Sequence, residues 1–352
     1  MMRAFHINLR RLCVVAVGAV FFVSGILKVI DPVGTSLIVG EYLKFLHLGF
    51  LAPLAKATGV ALALAETILG AAMLSGIWRQ AMSYIILTMV GGYTLLTLLL
   101  VIFNPAMDCG CFGEALHLTH VQSFVKNLVL LALTLVAYVP LRTGERPRTT
   151  KFVLFAVVSA ISLGLCLYSL RSIPIVDFTD YAPGTELLGK WDAGQDDAFL
   201  APALTFYDEY GESADALAVD GDVMVVSVYD PVKLGWKQWD KISTAVSDAL
   251  CAGIQPLLLT TTLDAVPTDL VDYVYFADYK ELITLNRSNG GYTLISDGLI
   301  IDKWPVRRVQ SMEQLHNMEQ RGLTESYVEH TVYGRIMLQA LVLLAVAALL
   351  LG

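Results

Sequence analysis

Two cysteines separated by one glycine, Cys109 and Cys111, lie in the run DCGCFG from Asp108 to Gly113. A disulfide between them would close a very small, strained ring. Strained disulfides are the reducible ones, so this spacing suits labile or catalytic redox chemistry. The thiolate is the reactive species and a nearby cation favours it; Lys28 and Lys126 are the cations that could serve. Two plainer readings stay open: a pair of unrelated loop cysteines, or a bridge that only staples the loop. Cys-x-Cys also suits a soft metal such as Cu(I). His117 and His120 are near in sequence, but no Met or His cluster completes a site, and no metal is assigned. Cys13 and Cys166 fall in apolar runs and read as small core residues, and Cys251 reads as a buried small hydrophobe.

The elements that must hold this pair are mostly apolar. Of 352 residues, 56% are hydrophobic and 16% charged, which is too apolar for an ordinary soluble domain. The net charge of -8 is divided by sign. Residues 172–332 contain 26 Asp/Glu and 10 Lys/Arg, and the remainder contains 6 and 14. The basic part is the apolar part, so its charge follows membrane topology. No basic stripe with interleaved aromatics appears, and nucleic acid is excluded as a partner.

Six segments are long and apolar enough to span a bilayer: about 11–30, 58–77, 81–103, 121–140, 151–170 and 333–351. Arg3, Arg10 and Arg11 precede the first, Arg79 follows the second, and Arg142, Arg146, Arg148 and Lys151 follow the fourth. Residues 104–120 contain no Lys or Arg. The positive-inside rule then places both termini in the cytoplasm of a cell (inner) membrane. The DCGCFG loop and residues 172–332 face the periplasm, where a disulfide persists. No small-residue cleavage site follows the first apolar run, which reads as a retained helix.

The first four spans suggest a four-helix bundle with short connections. Gly18, Ser24, Gly25, Gly70, Ala71, Ala72, Gly91 and Gly92 offer surfaces for close helix approach. Glu66 falls mid-span, where an ionisable group needs a partner. Lys28 and Lys126, near the outer ends of their spans, either snorkel to the interface or face the interior.

These residues carry a resemblance. FFVSGILKVIDP (Phe21 to Pro32), the E-x-x-x-G from Glu66 to Gly70, DCGCFG, and Val125-Lys126-Asn127 together resemble the DoxX/MauE group of four-helix membrane proteins, over about residues 8–140. The resemblance implies a role in maturing methylamine dehydrogenase, whose small subunit is rich in disulfides. That bundle is similar to the vitamin K epoxide reductase type, which implies electron transfer between external thiols and a membrane quinone. Those relatives carry Cys-x-x-Cys where this chain has Cys-x-Cys.

Beyond the fifth span the pattern changes to α/β. Asp222–Asp230 and Gln255–Thr261 read as strands, Lys237–Ala252 and Asp278–Asn286 as helices. Gly291–Trp304 reads as a hairpin turned at Asp297-Gly298, and Ser311–Gln320 as a closing helix. This order resembles the peroxiredoxin branch of the thioredoxin superfamily. Where that family has its Cys-x-x-Cys, this chain has Asp230 to Trp236, and Asn289-Gly290-Gly291 replaces its proline before the hairpin. The expected fold is therefore a polytopic α-helical membrane protein. Residues 1–141 form a DoxX/MauE-like bundle, 151–171 a fifth span, 172–330 a thioredoxin-like extracytoplasmic α/β domain without Cys-x-x-Cys, and 333–351 a C-terminal span. The expected function is a membrane thiol–disulfide redox or maturation factor. Cys109 and Cys111 would be catalytic, supported by Lys28, Glu66 and Lys126, with quinone as the cofactor and lipid and a periplasmic client protein as partners. A non-enzymatic scaffold and a small-molecule carrier, with Glu66 and the lysines along its path, are the alternatives.

Overall fold

The structure is a computed structural model, and it describes residues 2–138, 149–187, 203–308, 336 and 339–349. The chain divides into two compact units: Met1–Leu170 with Met337–Gly352, and Arg171–Ile336.

The first unit contains α1 (Met2–Ile30), α2 (Pro32–Phe45), α3 (Ala55–Ser75), α4 (Arg79–Phe103), the short extended segment β1 (Cys111–Glu114), α5 (His120–Tyr138) and α6 (Thr149–Ser169). Among the described residues, five helical segments are long and apolar enough to cross a membrane: Asn8–Ile30, Gly49–Ser75, Arg79–Phe103, His120–Tyr138 and Thr149–Ser169. These correspond to the first five expected spans. Of the sixth, the described part is an apolar helix over Gln339–Leu349. The expected short connection between the first two spans is instead occupied by α2. Asp31 caps it by accepting a bond from the Gly34 amide at 2.9 Å, and Pro32 opens its first turn. At 14 residues α2 is too short to span.

One core joins four of the long helices. Val14, Val17 and Phe21 of α1 pack with Leu69, Ala72 and Met73 of α3, Ile86 and Val90 of α4, and Leu130 of α5. Cys13 belongs to this core, and Cys166 is buried with Val29 and Ala63, as expected of both. Helices α1 and α3 meet backbone to backbone. A Cβ at Gly25 would lie 2.3 Å from the Thr67 amide nitrogen, and one at Gly70 would lie 2.3 Å from that of Phe22. Gly91 and Gly92 do not share this role, since nothing lies within 4 Å of a Cβ built on either. The two sets therefore separate by substitution. Gly70→Val should destabilise the unit by at least the ~1–3 kcal/mol of an overpacked core, read as a fall in unfolding temperature in detergent. Gly91→Ala should leave that temperature unchanged or raise it, since alanine favours helix by up to about 1 kcal/mol.

The second unit is built on a five-stranded mixed sheet in the order β4-β3-β2-β5-β6. Its strands are β2 (Asp222–Val228), β3 (Gln255–Thr260), β4 (Val274–Phe276), β5 (Gly291–Ser296) and β6 (Leu299–Trp304). β2 runs parallel to β3, and β3 parallel to β4. β5 is antiparallel to β2, and β6 antiparallel to β5. Strand β2 is apolar but for Asp222 at its start and the buried Ser227, because both faces are covered. Val226 and Val228 face one core with Trp239, Ile242 and Val246 of α7 (Trp236–Cys251). Val223 and Val225 face the other with Leu282 and Leu285 of α8 (Tyr279–Leu285). Asp297 and Gly298 take φ of 46° and 78°, the left-handed pair that a tight two-residue hairpin turn needs. The expected closing helix at 311–320 lies outside the described residues.

Cys251 is exposed rather than buried. The inward face of α7 runs through Trp239, Ile242, Ala245, Val246 and Ala249. Cys251 is two residues beyond Ala249, about 200° around a helix of 3.6 residues per turn, so it faces away from the core.

Candidate functional site

The DCGCFG loop is folded by its glycines. Gly110 and Gly113 both have left-handed backbone, with φ of 62° and 63°. At Gly110 glycine is needed twice, because a Cβ would also lie 2.5 Å from the Ile38 side chain of α2. This turn brings the flanking thiols together, with Cys109 Sγ 2.8 Å from Cys111 Sγ. A disulfide at about 2.05 Å needs little further approach. Tyr42 of α2 donates to the Cys109 carbonyl at 2.7 Å and anchors the loop from the other side.

Both thiols line a cavity of about 190 Å³ within the first unit. Its walls are largely apolar, with Phe21, Val39, Leu62, Leu96 and Leu130 among them. Its polar groups come from helices α1 to α5 and from the DCGCFG loop. Lys28 of α1 is buried and pairs with Glu66 of α3, its Nζ lying 2.8 and 2.7 Å from the two carboxylate oxygens. Tyr93 of α4 donates to Glu66 Oε1 at 2.7 Å. Asn127 of α5 donates to the Tyr93 carbonyl and to Thr97 Oγ1, both at 3.2 Å. A buried carboxylate is tolerable only when paired and hydrogen-bonded, and Glu66 has both kinds of partner. Lys28 therefore does not snorkel.

Ser24, one turn before Lys28, links this pair to the thiols. Its hydroxyl lies 2.7 Å from Glu66 Oε2 and 2.7 Å from the Cys111 carbonyl oxygen. One hydroxyl carries one hydrogen, so the two acceptors compete for it.

Lys126 of α5 is half-buried and also lines the cavity. Its ammonium lies 4.9 Å from the centre of the Phe112 ring, a cation–π distance. It has no carboxylate partner among the described residues. The two thiols differ as a result. The Cys111 thiol is held below its usual range, first by the hydrogen bond with Cys109, then by the attraction of Lys126 and Lys28. The Cys109 thiol is pushed up by that same hydrogen bond and by burial. The pair thus has one thiolate-prone sulfur facing a cation and one protonated sulfur behind it.

The segment that holds all of these groups has relatives. Residues 7–140 match the family model of the methylamine utilisation protein MauE. No curated protein and no solved structure matches the chain. With its apolar helices, the MauE-matching segment makes this a multi-pass membrane protein.

The five residues proposed in sequence for the site, Cys109, Cys111, Lys28, Glu66 and Lys126, line the same cavity in the MauE-matching segment. The histidines turn elsewhere: His117 Nδ1 lies 3.4 Å from Asp108 Oδ2, and the His120 ring 3.0 Å from the Pro105 carbonyl oxygen. Tyr42, Tyr93 and the hydrogen-bonding role of Ser24 were not foreseen. The signal for Tyr93 was a tyrosine in the middle of an apolar span. For Tyr42 it was an Asp-Pro start followed by an apolar run too short to cross.

Proposed function

We propose that this protein is a membrane thiol–disulfide factor in which Cys109 and Cys111 carry the redox equivalent. The observation that carries the reading is the pair itself: two thiols 2.8 Å apart, lining a mostly apolar cavity beside Lys126 and the Lys28–Glu66 pair. In the exchange, the Cys111 thiolate attacks one sulfur of a client disulfide and expels the other client sulfur as a thiolate. Cys109 then attacks Cys111 in the mixed disulfide and releases the second client sulfur, and its proton passes to the client. The products are a Cys109–Cys111 disulfide and a reduced client. The reverse sequence oxidises a client.

The positive-inside pattern supports both termini in the cytoplasm, with the DCGCFG loop and residues 172–332 on the periplasmic face. The strand order β4-β3-β2-β5-β6, an α/β core with an antiparallel hairpin beside β2, supports a thioredoxin-like second unit. That unit has Asp230 to Trp236 at the β2–α7 junction, so its role would be to dock the client rather than to exchange disulfides. The family's name points to a client of methylamine utilisation. The apolar walls of the cavity suit the ring of a quinone, the cofactor class that the resemblance implies.

Acid quenching and thiol trapping in intact cells test the reading. A fraction of Cys109 and Cys111 should be protected from alkylation until reductant is added. The Cys109→Ser/Cys111→Ser protein should lose function. Full function in that double variant would overturn the proposal and favour a scaffold.

A further inference from the structure

The charged side chains that line the cavity, Lys28, Glu66 and Lys126, balance in only one redox state of the pair. Lys28 and Glu66 cancel, with 2.7 Å between Nζ and Oε2. Lys126 is then balanced only by the Cys111 thiolate, because no carboxylate among the described residues pairs with it. Disulfide formation removes that balance. In the exchange described above, the negative charge departs on the client sulfur, and the new Cys109–Cys111 bond is neutral. The lining side chains are left with one uncancelled positive charge, carried by a half-buried ammonium over the Phe112 ring.

We propose that the oxidised form of this cavity is a binding site for a small organic anion with an apolar body. Lys126 takes the anionic head, and walls including Val39, Leu62 and Leu130 take the body. The reduced form excludes the same ligand, because the Cys111 thiolate already occupies the field of Lys126 and would repel a second anion. Size sets a further limit: about 190 Å³ admits a short acyl chain and not a whole phospholipid. Occupancy of this site would therefore follow the redox state of the pair, and by reciprocity an anion in the cavity would favour the disulfide. The gating rests on the redox reading; the charge balance does not, since any change that leaves the two sulfur positions uncharged exposes Lys126.

That independence fixes the experiment. Hexanoate serves as the probe, titrated calorimetrically into the purified full chain in a low-chloride detergent buffer. The thiol state is checked by alkylation mass shift. Oxidised wild type and Cys109→Ser/Cys111→Ser should bind hexanoate alike, at least tenfold more tightly than reduced wild type. Lys126→Gln in the double-serine background should abolish the binding. Equal affinity in reduced wild type and in the double-serine protein would overturn the proposal, as would binding that survives Lys126→Gln. If the double-serine protein binds while the wild-type pair resists oxidation, the anion site stands and the thiol–disulfide reading falls.

Discussion

Cys109→Ser should accumulate a mixed disulfide between Cys111 and its client, and Cys111→Ser should accumulate none. The asymmetry follows from the surroundings of the two sulfurs. Cys111 sits beside Lys126 and is held toward the thiolate, whereas Cys109 is 5% exposed and pushed toward the thiol. Only a few per cent of an ordinary cysteine is thiolate at neutral pH, so the two should differ in alkylation rate by about tenfold or more at pH 7. The pH profile carries the sign of the shift. Alkylation of Cys111 should already be near its plateau at pH 7, while an unshifted thiol is only half ionised near about pH 8.5 and keeps gaining rate beyond it. Lys126→Met removes the nearby cation and should move the Cys111 profile toward higher pH. Trapping of client by Cys109 in the Cys111→Ser protein would overturn the assignment of roles. Equal alkylation of both sulfurs in wild type would do the same.

The residues that line this cavity were legible in sequence because their types are rare in their setting. An Asp-Cys-Gly-Cys run stands out between two apolar spans, and a glutamate inside a span costs stability unless something compensates. Their convergence was less legible. Lys28 and Glu66 are 38 positions apart, and nothing in either span says which faces of α1 and α3 meet. Gly25 and Gly70 set that crossing, and the sequence marked them only as small residues in company with Gly91 and Gly92, which face open space. Four strands and the two described helices of the second unit were read because they write their period into the chain, whereas the three-residue β4 is too short to show one. β2 alternates between two covered faces, and Asp297-Gly298 specifies the turn. Cys251 was misread because its burial depends on helical phase, and two residues past the last inward position is enough to reverse it. Helix α2 was missed because a 14-residue apolar run fits neither a span nor a loop. It nonetheless supplies Ile38 against Gly110 and Tyr42 against the Cys109 carbonyl.

Glu66→Ala should destabilise the membrane unit by about 3–5 kcal/mol, the cost of leaving one partner of a buried ion pair behind. Lys28 would keep Ser24 at 3.3 Å, a contact with a neutral hydroxyl that does not compensate an ammonium. Lys28→Met should cost less. The stranded Glu66 keeps the hydroxyls of Tyr93 and Ser24 as donors. Lys28→Met/Glu66→Gln should recover most of the loss, because a neutral amide with the same hydroxyl donors carries no uncompensated charge. Unfolding temperature in detergent should therefore rank wild type and the double variant together, Lys28→Met below them, and Glu66→Ala lowest. A double variant as unstable as Glu66→Ala would mean that packing, not charge, holds this site. The same series separates stability from chemistry. Once Glu66 is gone, the single Ser24 hydrogen has only the Cys111 carbonyl to serve, so the loop is held more firmly while the bundle beneath it weakens. Glu66→Ala should accordingly leave the ratio of Cys111 to Cys109 alkylation close to wild type at temperatures where the protein is folded. A collapse of that ratio would instead make Glu66 part of what sets the reactivity of Cys111.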